Sequence, residues 1–332
     1  MSADTFYVKA MLEDLYALQR LTSTRIARAL GIDVKRVRSF FSYMRSVGVW
    51  IKPDIDHRAL GWRRCLVVLR GILLDVSRLR GAPFIRSALL SIPPATILVI
   101  DSLNGYAHDC EDLGARAVCM DLVIRSRPDP RLLEMAIRRE LRKLAETVPR
   151  YEPPIALTSV GRADWLDLEI LRVLNRDPSM KLLELARELG RRPRTVETHT
   201  RHAERAITGY RVSKIRTLHG DECCNYIIIA TSSNPLQAAR ALVAHPYVVG
   251  CGTTANTIVI HVALPMKHIH TFTKTLTNIA NIEIEEAYIA PNTAKYVAYV
   301  GSTTTGEYSP KQGFLAKTLK QTLQKILSTQ DS

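Results

Sequence analysis

The sequence predicts an α+β chain in which a small helical unit followed by a β-α-β-β-α-β sandwich occurs twice. Three observations predict it. Ala27, Gly31 and Val37 have the spacing Ala-x3-Gly-x5-Val, and Ala186, Gly190 and Val196 repeat it 159 residues later. The match extends outward: Leu12 and Leu15 precede the first triplet as Leu171 and Leu174 precede the second, and Arg28 and Leu30 correspond to Arg187 and Leu189. Each triplet has the chemistry of a helix-turn-helix, where a small Ala lets two helices approach, Gly takes the tight turn and a β-branched residue packs into the angle. After each unit the hydrophobic pattern changes to short strand-like runs separated by two helical stretches.

The elements follow in order. Residues 6–18 read as a first helix, and 22–30 as a second with Thr22 or Ser23 as its N-cap. Asp33 caps a third over 34–47, with Val37, Phe41, Met44 and Val47 as its core stripe and Gly48 as its stop. Residues 49–51 and 53–55 read as a short wing. In the sandwich, 65–69 is a strand, 83–90 a short helix stopped by Pro93-Pro94, and 95–100 and 117–124 two more strands. Asp129-Pro130 opens a helix carrying Leu133, Ala136, Ile137, Leu141 and Leu144 on one face, and 155–159 closes the unit as a strand.

The second half repeats the order. Helices are expected over 164–175, 182–189 and 194–207, then a wing at 210–215. The second sandwich has strands at 226–230, 247–251, 257–264 and 282–288, with helices at 235–243 and 265–279. A strand at 296–300 and a polar linker over 301–306 lead into a helix from Ser309-Pro310, apolar along Leu315, Leu319, Leu323, Ile326 and Leu327 and basic on its other face. The domain boundaries are therefore 1–62 and 161–218 for the winged helix-turn-helix units, 63–160 and 219–291 for the ferredoxin-like sandwiches, and 292–332 for the linker and C-terminal helix.

Bulk properties narrow the class. The chain has 332 residues, 46% of them hydrophobic, which is a globular composition. No apolar run approaches the ~20 residues of a membrane helix, and no secretory leader is expected at the N-terminus. The six cysteines form no Cys-x2-Cys pair and several lie in apolar runs, so they are expected to be reduced thiols of a cytoplasmic protein. The formal net charge is +14 and the pI about 9.7. A cationic surface concentrates phosphate polyanions, and with two helix-turn-helix patterns the natural partner is double-stranded DNA.

The residues of the turn carry a resemblance. Gly190-Arg191-Arg192-Pro193-Arg194-Thr195-Val196 resembles the Gly-x-x-Pro-x-Thr-Val turn of Lrp/AsnC-type (feast/famine) transcriptional regulators. Leu168-Glu169-Ile170-Leu171-x-x-Leu174 is similar to that family's first helix, and Thr208-Gly209-Tyr210 to its passage into the wing. Gly48-Val49 and the segment from Asp56 to Gly61 are similar to its wing and hinge. The resemblance spans nearly everything to about residue 290, twice. It implies RAM-type sandwiches that would pair within one chain as a pseudo-dimer, with room for an amino-acid-like effector and further homo-oligomers. The turns at 112–116 and 252–256 depart from the family's Gly-x-Tyr-Asp-like effector turn.

A recognition helix places its N-terminal residues in the major groove. The candidate DNA-binding residues are Lys35, Arg36, Arg38, Ser39 and Ser42 in the first unit, and Arg192, Arg194, Thr195, Thr198 and Arg201 in the second. Where the first helix packs Phe41 and Met44 the second offers Thr200 and Ala203, so the second unit is the weaker reader or a purely structural one. His199 and His202 stand at i, i+3, a spacing that can hold a metal, and His261, His268 and His270 lie near the second sandwich, but the sequence shows no completing carboxylate or cysteine. The expectation is a DNA-binding transcriptional regulator with no catalytic centre, no cofactor and no metal. Two alternatives stand beside it. Siroheme decarboxylases also resemble paired Lrp/AsnC-type units, and the histidines with Arg116 or Arg240 could serve that chemistry. A non-specific architectural DNA coater shares every electrostatic feature.

Overall fold

The computed structural model describes residues 23–46, 50–75, 85–103, 115–137, 140–150, 153, 164–213, 223–290, 297–298, 324 and 328. The expected helix at 6–18, the strand at 155–159 and the linker at 301–306 lie outside the described residues, as does the C-terminal helix except for two helical positions, 324 and 328. The fold is α+β, and its strands pair antiparallel throughout.

In the first helical region α1 (Ser23–Leu30) meets α2 (Val34–Ser46). In the second, α5 (Trp165–Arg176) precedes α6 (Leu182–Glu188) and α7 (Pro193–Glu204). Gly31 and Gly190 hold φ of 62° and 60°, the left-handed conformation that a side chain disfavours. Ala27, Val37, Ala186 and Val196 are all buried beneath these turns. The two regions share one apolar core, in which Ile26, Val37 and Leu60 join Ile170, Leu171, Leu185, Val196 and Tyr210. Strand β1 (Trp50–Ile55) pairs with β7 (Ile207–Ser213), so the segments expected to be wings bind each other across the chain.

Two five-stranded sheets form the body. The first contains β2 (Trp62–Arg70), β3 (Ile85–Ser91), β4 (Ala95–Leu103) and β5 (Arg116–Met120), in the order β3-β4-β2-β5. The second contains β8 (Cys223–Thr231), β9 (Val248–Thr253), β10 (Thr257–Pro265) and β11 (Glu283–Ala290), in the order β11-β8-β10-β9. The fifth strands are exchanged. The chain leaves β5 through Asp121 and becomes β6 (Leu122–Arg125), which adds to β9 of the second sheet. Later it leaves β11 and returns as β12 (Val297–Ala298), which adds to β3 of the first. The sheets also share a core, where Leu66, Val68, Ile97, Val118 and Met120 pack with Ile227, Ile229, Val259 and Tyr288. Gly252 of β9 belongs to this close approach, since a Cβ there would lie 1.8 Å from Met120 Sδ.

The outer face of the second sheet is covered by helices from both halves. These are α3 (Pro130–Ile137) and α4 (Leu141–Glu146) from the first, and α8 (Pro235–Val243) and α9 (Ile269–Ala280) from the second. Asp129 caps α3 as expected, accepting the Arg131 amide at 2.9 Å, and also takes the Arg150 amide at 3.0 Å. Helix α4 is held by the other half of the chain. Leu141 and Leu144 carbonyls accept from Tyr247 Oη and His245 Nε2, at 3.2 and 3.0 Å, and the Ala145 carbonyl accepts from Thr275 Oγ1 at 2.7 Å.

Three expectations are corrected. Residues 85–91 form a strand, not the helix expected over 83–90, because Pro93-Pro94 folds the chain back so that Leu89 faces Ile97 across a hairpin. A seven-residue segment whose apolar residues are Ile85, Ala88, Leu89 and Leu90 fits a helical period, and a partner strand four residues away decides for sheet. The helix opened by Pro130 does not run unbroken to Leu144, since Glu140, with ψ of 52°, stands outside helical geometry and a separate helix starts at Leu141. The cysteines are not all reduced: Cys65 and Cys119 sit opposite each other in the β2–β5 ladder, Cα atoms 4.0 Å apart, and are disulfide-bonded. Cys223, Cys224 and Cys251 are thiols outside any disulfide, and burial pushes Cys251 far up from the usual thiol range.

Candidate nucleic-acid interface

Helices α2 and α7 present the ten sequence candidates. Asp33 accepts the Lys35 amide and fixes the start of α2. Arg192 is the N-cap residue of α7, with Pro193 at its first position, where a missing N–H costs nothing. Lys35, Arg36, Arg38, Ser39 and Ser42 are all exposed, and so are Arg192, Arg194, Thr195, Thr198 and Arg201. At about 100° per residue, Lys35, Ser39 and Ser42 lie opposite the buried Val37 with Arg36 and Arg38 flanking them, and Arg194, Thr198 and Arg201 lie opposite Val196 with Thr195 beside them, whereas Arg192 stands at the N-cap, one turn before Val196. Burial below and exposure above is what a groove-reading helix requires.

The two faces differ in charge. Arg38 of α2 corresponds in the repeat to Glu197 of α7, which the sequence reading did not single out. Glu197 binds Arg201 at 2.6 Å, one turn along the same helix. The second face thus neutralises one of its own cations, while the first carries Lys35, Arg36 and Arg38 together. The repeat alignment itself contained this signal. Beneath the second face Thr200 replaces the aromatic packing of Phe41. It is buried, and its hydroxyl has no hydrogen-bond partner among the described residues.

The histidine pair of α7 has partners that the sequence analysis did not find. Asp164 and Asp167 at the start of α5 meet His199 and His202, so carboxylates do converge on the pair. The separation of 32 residues between Asp167 and His199 hides this from any local motif. The other histidines do not converge. His261 bonds Asn225 at 3.0 Å within the second sheet, and His268 lies in the turn before α9 with His270 on that helix. Burial holds His268 below the usual imidazole range, helped by the Lys267 and Arg142 charges.

A second charged cluster ties the sheets together. Glu286 of β11 accepts from Arg70 of β2, Arg116 of β5 and its neighbour Tyr288, and Arg116 also pairs with Glu285. Burial works against the charged Glu286 carboxylate. The hydrogen bonds from Tyr288, Arg116 and Arg70 outweigh it and hold the group below the usual carboxylate range. Arg116 is thereby committed to an inter-sheet clamp. The turn at 252–256 has Thr253 as the end of β9, where its carbonyl accepts the Asp121 amide at 2.7 Å, and exposed Ala255 and Asn256 at its tip. Residues 112–114 of the corresponding first turn lie outside the described residues.

These features define a two-sheet α+β chain with two basic helices on a shared helical core. The chain matches no protein-family model and no curated protein. Among solved structures it is similar over most of its length to a siroheme decarboxylase, NirDL, solved with an iron-uroporphyrin III analogue. That alignment covers 93% of each chain at 10% identity, with a TM-score of 0.50. Lrp/AsnC regulators are also among its structural neighbours at lower coverage. Mycobacterium tuberculosis LrpA is 21% identical over 45% of this chain and 97% of its own, with a TM-score of 0.32. AsnC of E. coli is 20% identical over 46% and 97%, with a TM-score of 0.28. The expectation of a chain without a catalytic centre is overturned by the first of these matches, because the architecture of the whole chain is one that an enzyme uses. Fold alone does not assign the chemistry.

Proposed function

We propose that this chain binds double-stranded DNA as a transcriptional regulator of Lrp/AsnC type, with two winged helix-turn-helix units on a pseudo-dimer of ferredoxin-like sandwiches. The observation that carries this reading is the pairing of buried turn residues with ten exposed polar and basic residues on α2 and α7. The first unit is the stronger reader, because Glu197 offsets Arg201 in the second. Two unlike readers favour an asymmetric site over a palindrome. The test is binding to fragments of the source genome at several salt concentrations, with Arg38→Ala and Arg194→Ala beside wild type. Selected fragments held at moderate salt and lost in Arg38→Ala support the reading. Uniform binding that vanishes with salt in all three proteins supports an architectural coater instead.

A second reading rests on the whole-chain fold similarity to the siroheme decarboxylase. On it, the chain would remove carboxyl groups from a tetrapyrrole substrate. Arg116 is then a poor candidate for holding substrate carboxylates, since Glu285 and Glu286 already occupy its guanidinium. Incubation of the purified protein with siroheme, followed by mass analysis of the pigment, decides it. Loss of carbon dioxide from the pigment, with no DNA selectivity, replaces the first reading by this one.

A further inference from the structure

We propose that Asp164, Asp167 and His199 bind a divalent transition-metal ion that joins the start of α5 to α7, with His202 held beside it. The argument begins with the capping box. The Asp167 amide donates to Asp164 Oδ1, and the Asp164 amide donates to Asp167 Oδ2, both at 2.9 Å. One oxygen of each carboxylate is used in this way. The remaining pair, Asp164 Oδ2 and Asp167 Oδ1, both face His199 Nδ1, at 3.2 and 3.0 Å. His202 Nδ1 lies 2.6 Å from Asp167 Oδ2.

This arrangement has the dimensions of a metal site. The ligand atoms of Asp164, Asp167 and His199 all lie within 4.8 Å of one another, and no other group of three His, Cys, Asp or Glu ligands does so among the described residues. A tetrahedral ion with bonds of about 2.0–2.2 Å to nitrogen and oxygen separates its ligands by roughly 3.3–3.5 Å, a few tenths of an ångström beyond the spacing here. Charge argues the same way. The Asp167 side chain has no solvent exposure and Asp164 brings a second carboxylate beside it, so a divalent cation neutralises a carboxylate that water does not reach. The imidazole selects zinc, cobalt or nickel over calcium or magnesium, which prefer all-oxygen sites. Three protein ligands leave a fourth position for water. The Asp164 side chain is half exposed and gives the ion a way in.

The site stands independently of the DNA reading, although it would fix the inclination of the helix that carries Arg194, Thr195 and Thr198. The test therefore contains no DNA. Full-length protein stripped with a chelator is titrated with zinc by calorimetry and with cobalt by visible absorption. The expected result is one ion per chain with a tetrahedral cobalt spectrum. Both signals should weaken by at least about tenfold in His199→Gln and in Asp164→Asn. Asparagine caps a helix as well as aspartate, so Asp164→Asn removes a ligand without removing the start of α5. No saturable binding to wild type, or one-to-one binding unchanged in both variants, overturns the proposal.

Discussion

The replacement His245→Phe tests the way the two halves interlock. His245 is fully buried between the first half's α4 and the rings of Tyr247 and Phe272, whose centroids lie 5.3 and 4.6 Å from its own. Its Nδ1 accepts the Tyr247 amide at 3.1 Å, so the proton sits on Nε2 and is donated to the Leu144 carbonyl. Phenylalanine fills the space and removes both hydrogen bonds. The Leu144 carbonyl keeps the Thr147 amide at 3.2 Å, so its loss is modest, about 1 kcal/mol. The Tyr247 amide loses a buried acceptor, which costs about 1–3 kcal/mol. Together the expected destabilisation is roughly 2–4 kcal/mol, a large share of an ordinary domain's stability. The control is Tyr247→Phe, which removes the bond to Leu141 and leaves the His245 bonds in place, at a cost of about 1 kcal/mol. Equilibrium urea unfolding at neutral pH, followed by circular dichroism, measures both. A His245→Phe variant within about 1 kcal/mol of wild type would refute the claim that α4 is docked through this histidine.

The remaining predictions concern turns, charge and the helix faces. Gly31→Ala and Gly190→Ala each cost about 1–2 kcal/mol through backbone strain alone, since nothing lies within 4 Å of the added carbon; chemical denaturation checks this, and a neutral result would deny the left-handed turn. The lowered Glu286 carboxyl gives stability that is fully present above the unfolded value of about 4.3 and lost as pH falls through the folded one. Unfolding curves of wild type and Glu286→Gln should therefore differ at pH 7 and converge in acid, whereas a gap that persists in acid would sink the clamp. Thr200→Val replaces a buried hydroxyl without a partner among the described residues, and is expected to be neutral or to raise stability by up to about 1 kcal/mol by thermal melting. Replacing Lys35, Arg36 and Arg38 together by Ala should reduce the slope of log affinity against log salt by up to about 2.7, and an unchanged slope would remove α2 from the interface.

Local chemistry made much of this chain legible from sequence. Gly31 and Gly190 sit in left-handed turns because the helices on either side are fixed by their own apolar stripes. The helix Pro235–Val243 has the predicted bounds, since Asn234 supplies the cap and Pro235 the first position. All ten candidate residues are exposed, nine because a helix that buries Val37 or Val196 must turn its other faces outward, and Arg192 because it stands at the open N-terminal end of α7. What sequence left undecided depends on partners far along the chain. Residues 85–91 became a strand because β4 lay close enough to pair, and Cys65 met Cys119 because β2 and β5 share a ladder. The exchange of β6 and β12 between sheets leaves no local mark, for an edge strand of four or two residues reads like any short apolar run. The meeting of Asp164 and Asp167 with His199 follows only from the packing of α5 on α7. Backbone preference and hydrophobic period act within a few residues and are written in order along the chain. Sheet pairing, disulfide formation and ligand clusters are set by contacts between distant segments, which only the folded molecule brings together.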